Sequence, residues 1–172
     1  KHVYSYLEKL KPLMKKSGIQ FHRVQSHSKN TTGSIKEDAL KNDRFAAIPF
    51  HTLNVDGKKG IVRRQCTSEY KILPVERRIR EIMGLKYKQR YARKYGIAHQ
   101  LMGISTDEVQ RAKDNHKPYI FAKFPLLDLG MSRQDCLNWM ADKGYELPKR
   151  SACIGCPYHD NSEWFNLKEN HY

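Results

Sequence analysis

The sequence predicts an α/β layered fold with a mainly parallel sheet, followed by a helical, cysteine-bearing end over residues 129–172. Two observations predict it. Apolar runs of strand length are separated by stretches of helical periodicity, the pattern that feeds parallel strands through helical crossovers. Beyond residue 128 the strand signals stop, and two helical segments flank a pair of closely spaced cysteines. A chain of 172 residues can bury one ordinary core, so 1–128 and 129–172 are read as parts packed on the same domain.

The elements follow in order. Val3, Tyr6, Leu7, Leu10, Leu13 and Met14 recur at helical spacing, Pro12 permits a kink, and Gly18 ends the helix. No capping residue precedes this helix and the chain opens on Lys1, so the sequence reads as cut at its start. "IQFHRVQ" reads as a strand, "SHSKNTTGS" as a polar loop and "IKEDALKN" as a short helix. Residues 45–62 carry apolar stretches broken by Pro49 and by Asp56-Gly57, which predicts a hairpin. "PVERRIREIMG" starts with proline and ends on Gly84, predicting a helix over 74–83. "IAHQLMGIST" reads as a buried strand and "YIFAKFPLL" as another strand, with a helical turn at "TDEVQRAK" capped by Thr106 between them. "SRQDCLNWMADKG" has Ser132 at the N-cap, Asp135 at the third helical position and Gly144 at its end. "SEWFNLKEN" is a last amphipathic helix.

The formal net charge of +14 predicts attraction to polyanions, nucleic acid or a charged nucleotide first among them. Four cysteines are too few for a secreted disulfide scaffold of this length, and no apolar segment has signal or membrane-spanning length. A cytoplasmic, reducing setting without a membrane partner is the expectation.

The C-x-x-C pair Cys153 and Cys156 can place two thiolates on one metal centre, although redox pairs use the same spacing. Cys66, in a polar segment between Arg63-Arg64 and Lys71, is the candidate third ligand. Cys136 shares a helical stripe with Trp139 and Met140, which offers core packing as an alternative to ligation. His159 supplies a nitrogen for a Cys66/Cys153/Cys156/His159 zinc site, with a surface histidine as the alternative. Arg63, Arg64 and Arg150 flank the cysteine motifs and can serve phosphate or offset thiolate charge. In "LKYKQRYARKYG", Tyr87, Tyr91 and Tyr95 recur every four residues among Lys86, Lys88, Arg90, Arg93 and Lys94. On a helix these rings share a face, for stacking on bases or for packing inward, with cations alongside for phosphates.

"RRQCTSEYKILPVERRIREIMG", "MGISTDEVQRAK", "FAKFPLLDLGMSRQDCLNWM" and "RSACIGCPYHDNSEW", in that order, resemble the phosphoadenosine phosphosulfate (PAPS) reductase family of the PP-loop, or adenine nucleotide alpha-hydrolase-like, superfamily. The resemblance runs from about residue 45 to the C-terminus and, more weakly, through the opening helix and strand. It implies a Rossmann-like sheet, an adenine nucleotide such as ATP, and a [4Fe–4S] cluster with Cys66, Cys153 and Cys156 among its ligands. It also implies that Lys71, with Pro74, matches the family's lysine and proline, and that Gly103, Ile104, Ser105, Asp107, Glu108 and Arg111 form the loop beside the substrate. The phosphate-binding PP-loop expected before the first helix is missing, so residues 1–128 are read as a partial PP-loop domain that binds ATP poorly and is inactive alone. "RQCT" has one cysteine where the sulfonucleotide reductases have adjacent ones, and no cysteine follows Cys156. Sulfur transfer to a nucleotide or nucleic-acid base is therefore favoured over sulfonucleotide reduction. A second copy of the chain and a sulfur-donor protein are partners compatible with that reading. The competing expectation is a nucleic-acid-binding module with a structural zinc.

Overall fold

The computed structural model describes residues 2–27, 31–41, 48–62, 65–148, 153 and 155–171. It is a mixed helix-and-sheet structure whose tertiary contacts form two compact units. One, here the parallel unit, comprises Lys1–Glu8 and Ile79–Lys149; the other, the hairpin unit, comprises Lys9–Arg78 and Arg150–Tyr172. No helix among the described residues is long and apolar enough to cross a membrane.

Helix α1 spans His2–Lys16 and runs through Pro12 without a break. It ends as the sequence predicts. Gly18 takes φ +69°, a left-handed conformation that glycine adopts without a Cβ clash. The Ile19 N–H then reaches back to the Met14 carbonyl at 2.8 Å, closing the orphan carbonyls of the last turn.

In the hairpin unit, α2 (Ile35–Leu40) is capped by the Ser34 hydroxyl, which accepts from the Glu37 N–H at 3.3 Å. Asp38 on this helix is only 5% exposed, and its carboxylate accepts from the Thr32 N–H at 2.8 Å and from the Tyr70 hydroxyl. Strands β1 (His51–Leu53) and β2 (Lys59–Ile61) pair antiparallel, with Gly57 at φ +73° in the turn, as Asp56-Gly57 predicts. "IQFHRVQ" is not a strand. Its apolar side chains Ile19 and Val24 are exposed, and the segment is held instead by side chains: the Arg78 guanidinium donates to His22 Nδ1 at 3.1 Å, and Arg77 donates to the His27 carbonyl at 2.9 Å. Extended backbone becomes a strand only where another edge pairs with it, and none does here among the described residues.

Helix α3 (Leu73–Ile82) is entered through a π-helical turn at Ser68–Ile72 that the sequence reading missed. Its cause is Pro74. Proline has no N–H, and its ring collides with the carbonyl four residues back in a regular α-helix. A widened turn, in which the Leu73 N–H reaches Ser68 O, relieves that collision while the helical run continues from Cys66.

The parallel unit is built on β3 (Ala98–Leu101) and β4 (Ile120–Lys123), registered Ala98 to Ile120 and Leu101 to Lys123. Their connection carries a 3-10 helix at Thr106–Arg111 rather than an α-helix, and the residue preceding it is Ser105, not the expected Thr106. Helices α4 (Pro125–Asp128) and α5 (Arg133–Asp142) follow. The predicted capping box of α5 is formed: the Ser132 hydroxyl accepts from the Asp135 N–H at 3.2 Å, and the Ser132 N–H donates to the Asp135 carboxylate at 2.8 Å. The apolar core consists of Leu85, Ile104, Tyr119 and Ile120. Alternate residues of β3 face out, so it is half-buried rather than buried as expected. The expected mainly parallel sheet is thus one parallel and one antiparallel pair among the described residues.

Ile120 is 1% exposed, so truncation removes transfer free energy and leaves a cavity. Ile120→Ala should destabilise the protein by about 2–5 kcal/mol in chemical denaturation. The exposed control Gln134→Ala should change stability by no more than about 0.5 kcal/mol.

Candidate functional site

The cysteine turn lies in the hairpin unit, beside helix α6 (Asn161–His171). The Cys156 N–H donates to the Cys153 carbonyl at 3.0 Å, and the His159 N–H to the Cys156 carbonyl at 3.3 Å, so the C-x-x-C segment folds back on itself. His159 then fastens it to α6. Its Nε2 lies 2.8 Å from the Cys153 carbonyl and its Nδ1 lies 3.2 Å from the Glu163 carboxylate. Each ring nitrogen thus lies within hydrogen-bonding distance of an oxygen. Ligation of a metal by His159 therefore requires one of these bonds to be given up. The Trp164 ring packs edge-on against the imidazole, with centroids 5.1 Å apart.

Asp160 caps α6. Its carboxylate accepts from the Glu163 N–H at 2.8 Å, while its own N–H donates to Glu163 at 3.2 Å. This second capping box was legible as D-x-x-E ahead of an apolar pair, and the sequence reading passed over it. Glu163 thus serves helix and cysteine turn together.

Cys153 is exposed, Cys156 and Cys66 are half-buried, and all three are free thiols of the hairpin unit. Among the described residues no three His, Cys, Asp or Glu side chains converge as a group that could hold a metal ion. Cys66 opens the helical run that passes through the π turn, and Lys71 sits exposed within that turn. Beside Cys66, the Thr67 Oγ1 is buried without a hydrogen-bond partner. That orphan hydroxyl had no signal in the sequence. Cys136 is half-buried in α5 of the parallel unit, with Trp139 half-exposed on the same helix. Arg63, Arg64 and Arg150 lie outside the described residues.

The expected substrate loop lies in the parallel unit, where it is latched to the start of α5. The Thr106 N–H donates to the Met131 carbonyl at 3.0 Å, and the Asp107 carboxylate accepts from the Arg133 N–H at 2.6 Å and the Ser105 hydroxyl at 3.2 Å. Ser105 is buried, whereas Gly103 has open space where a side chain would stand. Glu108 and Arg111 pair with each other at 2.5 Å on the exposed side. The loop can present Gly103 and the Glu108–Arg111 pair to a ligand, while Ser105 and Asp107 hold its shape.

The segment carrying Lys86, Lys88, Arg90, Arg93 and Lys94 is not a helix. It is a loop with a 3-10 turn at Arg93–Tyr95, and Lys88 takes φ +59°. The three tyrosines do not share a face. Tyr91 stacks on Tyr119 with centroids 4.7 Å apart, Tyr95 accepts from the Gln89 amide, and Tyr87 faces solvent.

Comparison with models of protein families, with curated proteins and with solved structures finds no match.

The Arg133 N–H, ahead of the Ser105 hydroxyl, holds the Asp107 carboxyl below its ordinary pKa against a smaller opposing effect of burial. A carboxyl lowered in the folded state contributes stability that is present above its unfolded pKa and is lost as pH falls through its folded one. An NMR titration should therefore place the Asp107 midpoint below that of an unfolded aspartate. Ser105→Ala should raise the midpoint without restoring the ordinary value, because the Arg133 bond remains.

Proposed function

We propose that this chain is a PAPS-reductase-like enzyme domain that holds a [4Fe–4S] cluster through Cys66, Cys153 and Cys156 and takes part in nucleotide-dependent sulfur chemistry on a nucleotide or nucleic-acid base. The observation that carries the reading is the donor set of the hairpin unit: three free thiols, two on a turn already folded back by the Cys156–Cys153 backbone bond, and an unpartnered buried hydroxyl on Thr67. Thiolates are the ligands such clusters take, and hydrogen bonds to cluster sulfur tune them. The residues fit the group in kind. Their convergence is a rearrangement that binding must stabilise, as in other sites where metal affinity is also folding free energy. Three thiolates leave one iron open to a sulfur atom or substrate, which is the chemistry the cluster supplies when bound.

In this reading the chain's own residues orient and neutralise. The Glu163–His159 clasp holds the cysteine turn against α6. Lys71, exposed one helical turn and more beyond Cys66, offers a cation to an anionic substrate, as do Arg63, Arg64 and Arg150. Within the parallel unit, the loop at 103–111 offers Gly103 and the Glu108–Arg111 pair to a nucleotide, and the β3–β4 pair is read as part of a Rossmann-like sheet that an adenine nucleotide approaches at its strand ends. A second reading, a nucleic-acid-binding module with a structural zinc on the same cysteines, draws on the exposed cations of residues 86–94.

Protein purified without oxygen should be brown and contain iron and labile sulfide. Cys66→Ser, Cys153→Ser and Cys156→Ser should each abolish most of that iron, while Cys136→Ser should retain it. A colourless protein with stoichiometric zinc overturns the cluster and selects the second reading.

A further inference from the structure

From residue 82 to residue 106 the chain has no carboxylate, yet it carries Lys86, Lys88, Arg90, Arg93 and Lys94. All five are exposed, and none is in an ion pair among the described residues. Their loop is nevertheless tightly built. Leu85 is buried at its base. The Gln89 side chain accepts from the Lys86 N–H at 2.9 Å, the Gln89 N–H returns to the Lys86 carbonyl at 3.1 Å, and Arg80 donates to the Gln89 carbonyl. The Tyr91 hydroxyl closes the far end on the Gly96 carbonyl at 3.0 Å.

Two of the three tyrosines are consumed by that scaffold. Tyr87 is 79% exposed, and the Lys88 ammonium lies 5.5 Å from its ring centroid. Lys88 is the only non-glycine residue with positive φ among the described residues. A left-handed conformation is disfavoured for a long side chain, and such outliers concentrate where a site needs a particular backbone course. Here it turns the chain immediately after the exposed ring. An aromatic face held outward on a braced loop, surrounded by unneutralised cations, is the arrangement that binds unpaired bases and their phosphates. A duplex keeps its base faces stacked inside, and an acidic peptide makes no use of the ring.

We propose that the loop over residues 85–96 docks single-stranded nucleic acid, with one base stacked on Tyr87 and phosphates beside Lys86, Lys88, Arg90, Arg93 and Lys94. The inference rests on the reading above for the role of the bound strand, since it names the polymer that carries the base.

The test is fluorescence anisotropy with labelled oligothymidylate and oligouridylate of equal length, against salt, using the full chain and its variants with folding checked by circular dichroism. A duplex of the same length and polyglutamate serve as competitors. Tyr87→Ala should weaken binding about 5- to 150-fold and leave the salt slope unchanged, because stacking releases no counterion. Tyr87→Phe should bind like the parent. Changing the five cations to glutamine should reduce the slope of log K against log salt by up to about 3.5. Neutralising Lys9, Lys11, Lys15, Lys16 and Lys36 instead should leave most of the slope in place. Equal losses from the two charge variants, an unaffected Tyr87→Ala, or competition by duplex or polyglutamate as strong as by the single strand, each overturns the proposal. Iron content separates the two claims. Iron retained without Tyr87-dependent binding removes the docking surface alone, and Tyr87-dependent binding without iron removes the cluster alone.

Discussion

The Arg80 guanidinium holds the parallel unit together. It donates to the Tyr119 hydroxyl at 3.1 Å, lies 5.7 Å from the centre of the same ring, and donates again to the Gln89 carbonyl. Arginine suits the position because its planar fork can stack on an aromatic face and still present several donors. The end of α3 and the loop that follows it at 85–96 are thereby tied to a residue far along the chain, the one that leads into β4. Tyr91 covers the ring as well. Ile120, directly after Tyr119, is the most completely buried side chain of the described residues, so the polar brace and the apolar core share a single anchor.

Such braces matter because few apolar side chains among the described residues are buried, in a chain with 29% charged residues. Hydrophobic burial is non-directional and cannot by itself fix where a loop runs. Hydrogen bonds with named partners can. The Asp38 carboxylate gathers Thr32 and Tyr70, Asp107 gathers Ser105 and Arg133, and Glu163 gathers Asp160 and His159. Asp38 reaches a remote partner in Tyr70 and Asp107 one in Arg133, whereas Glu163 ties the residues just before α6 to its first turn. The candidate sites inherit their geometry from these bonds: Asp107 shapes the loop at 103–111, and Glu163 restrains the cysteine turn.

What was legible in the sequence was what short-range chemistry decides. Ser132 and Asp135 cap α5, Gly18 ends α1, and Asp56-Gly57 turns the hairpin, because every group involved lies within a few residues of its partner. The C-x-x-C turn was legible for the same reason. The strand expected at 19–25 failed because strand formation depends on a distant edge, and the extent of the parallel sheet failed likewise. Pro74 was read as a helix start, whereas the helical run reaches back through a π segment to Cys66, a continuation that proline's propensity alone does not announce. Whether Cys66 meets Cys153 and Cys156 is a question of the same long-range kind, to which spacing in the sequence carries no answer.

The basic tyrosine segment shows how local and distant effects compete. Spacing of four suits a helix, and in a helix Tyr87, Tyr91 and Tyr95 would align. So would Lys86, Arg90 and Lys94, which also stand four apart with no carboxylate to offset them. Like charges at that spacing cost about 0.2–0.5 kcal/mol per pair. The loop separates them instead, and it gives two rings partners that no helix could supply: Tyr119 for Tyr91 and the Gln89 amide for Tyr95. Burial and hydrogen bonding of those rings outweigh the helical spacing, because the spacing is worth little on an exposed surface without tertiary support. Among the described residues Tyr87 obtains no such partner, and it stands 79% exposed beside the left-handed Lys88. The same competition that defeats the helical reading therefore leaves one ring and five cations exposed on a braced loop.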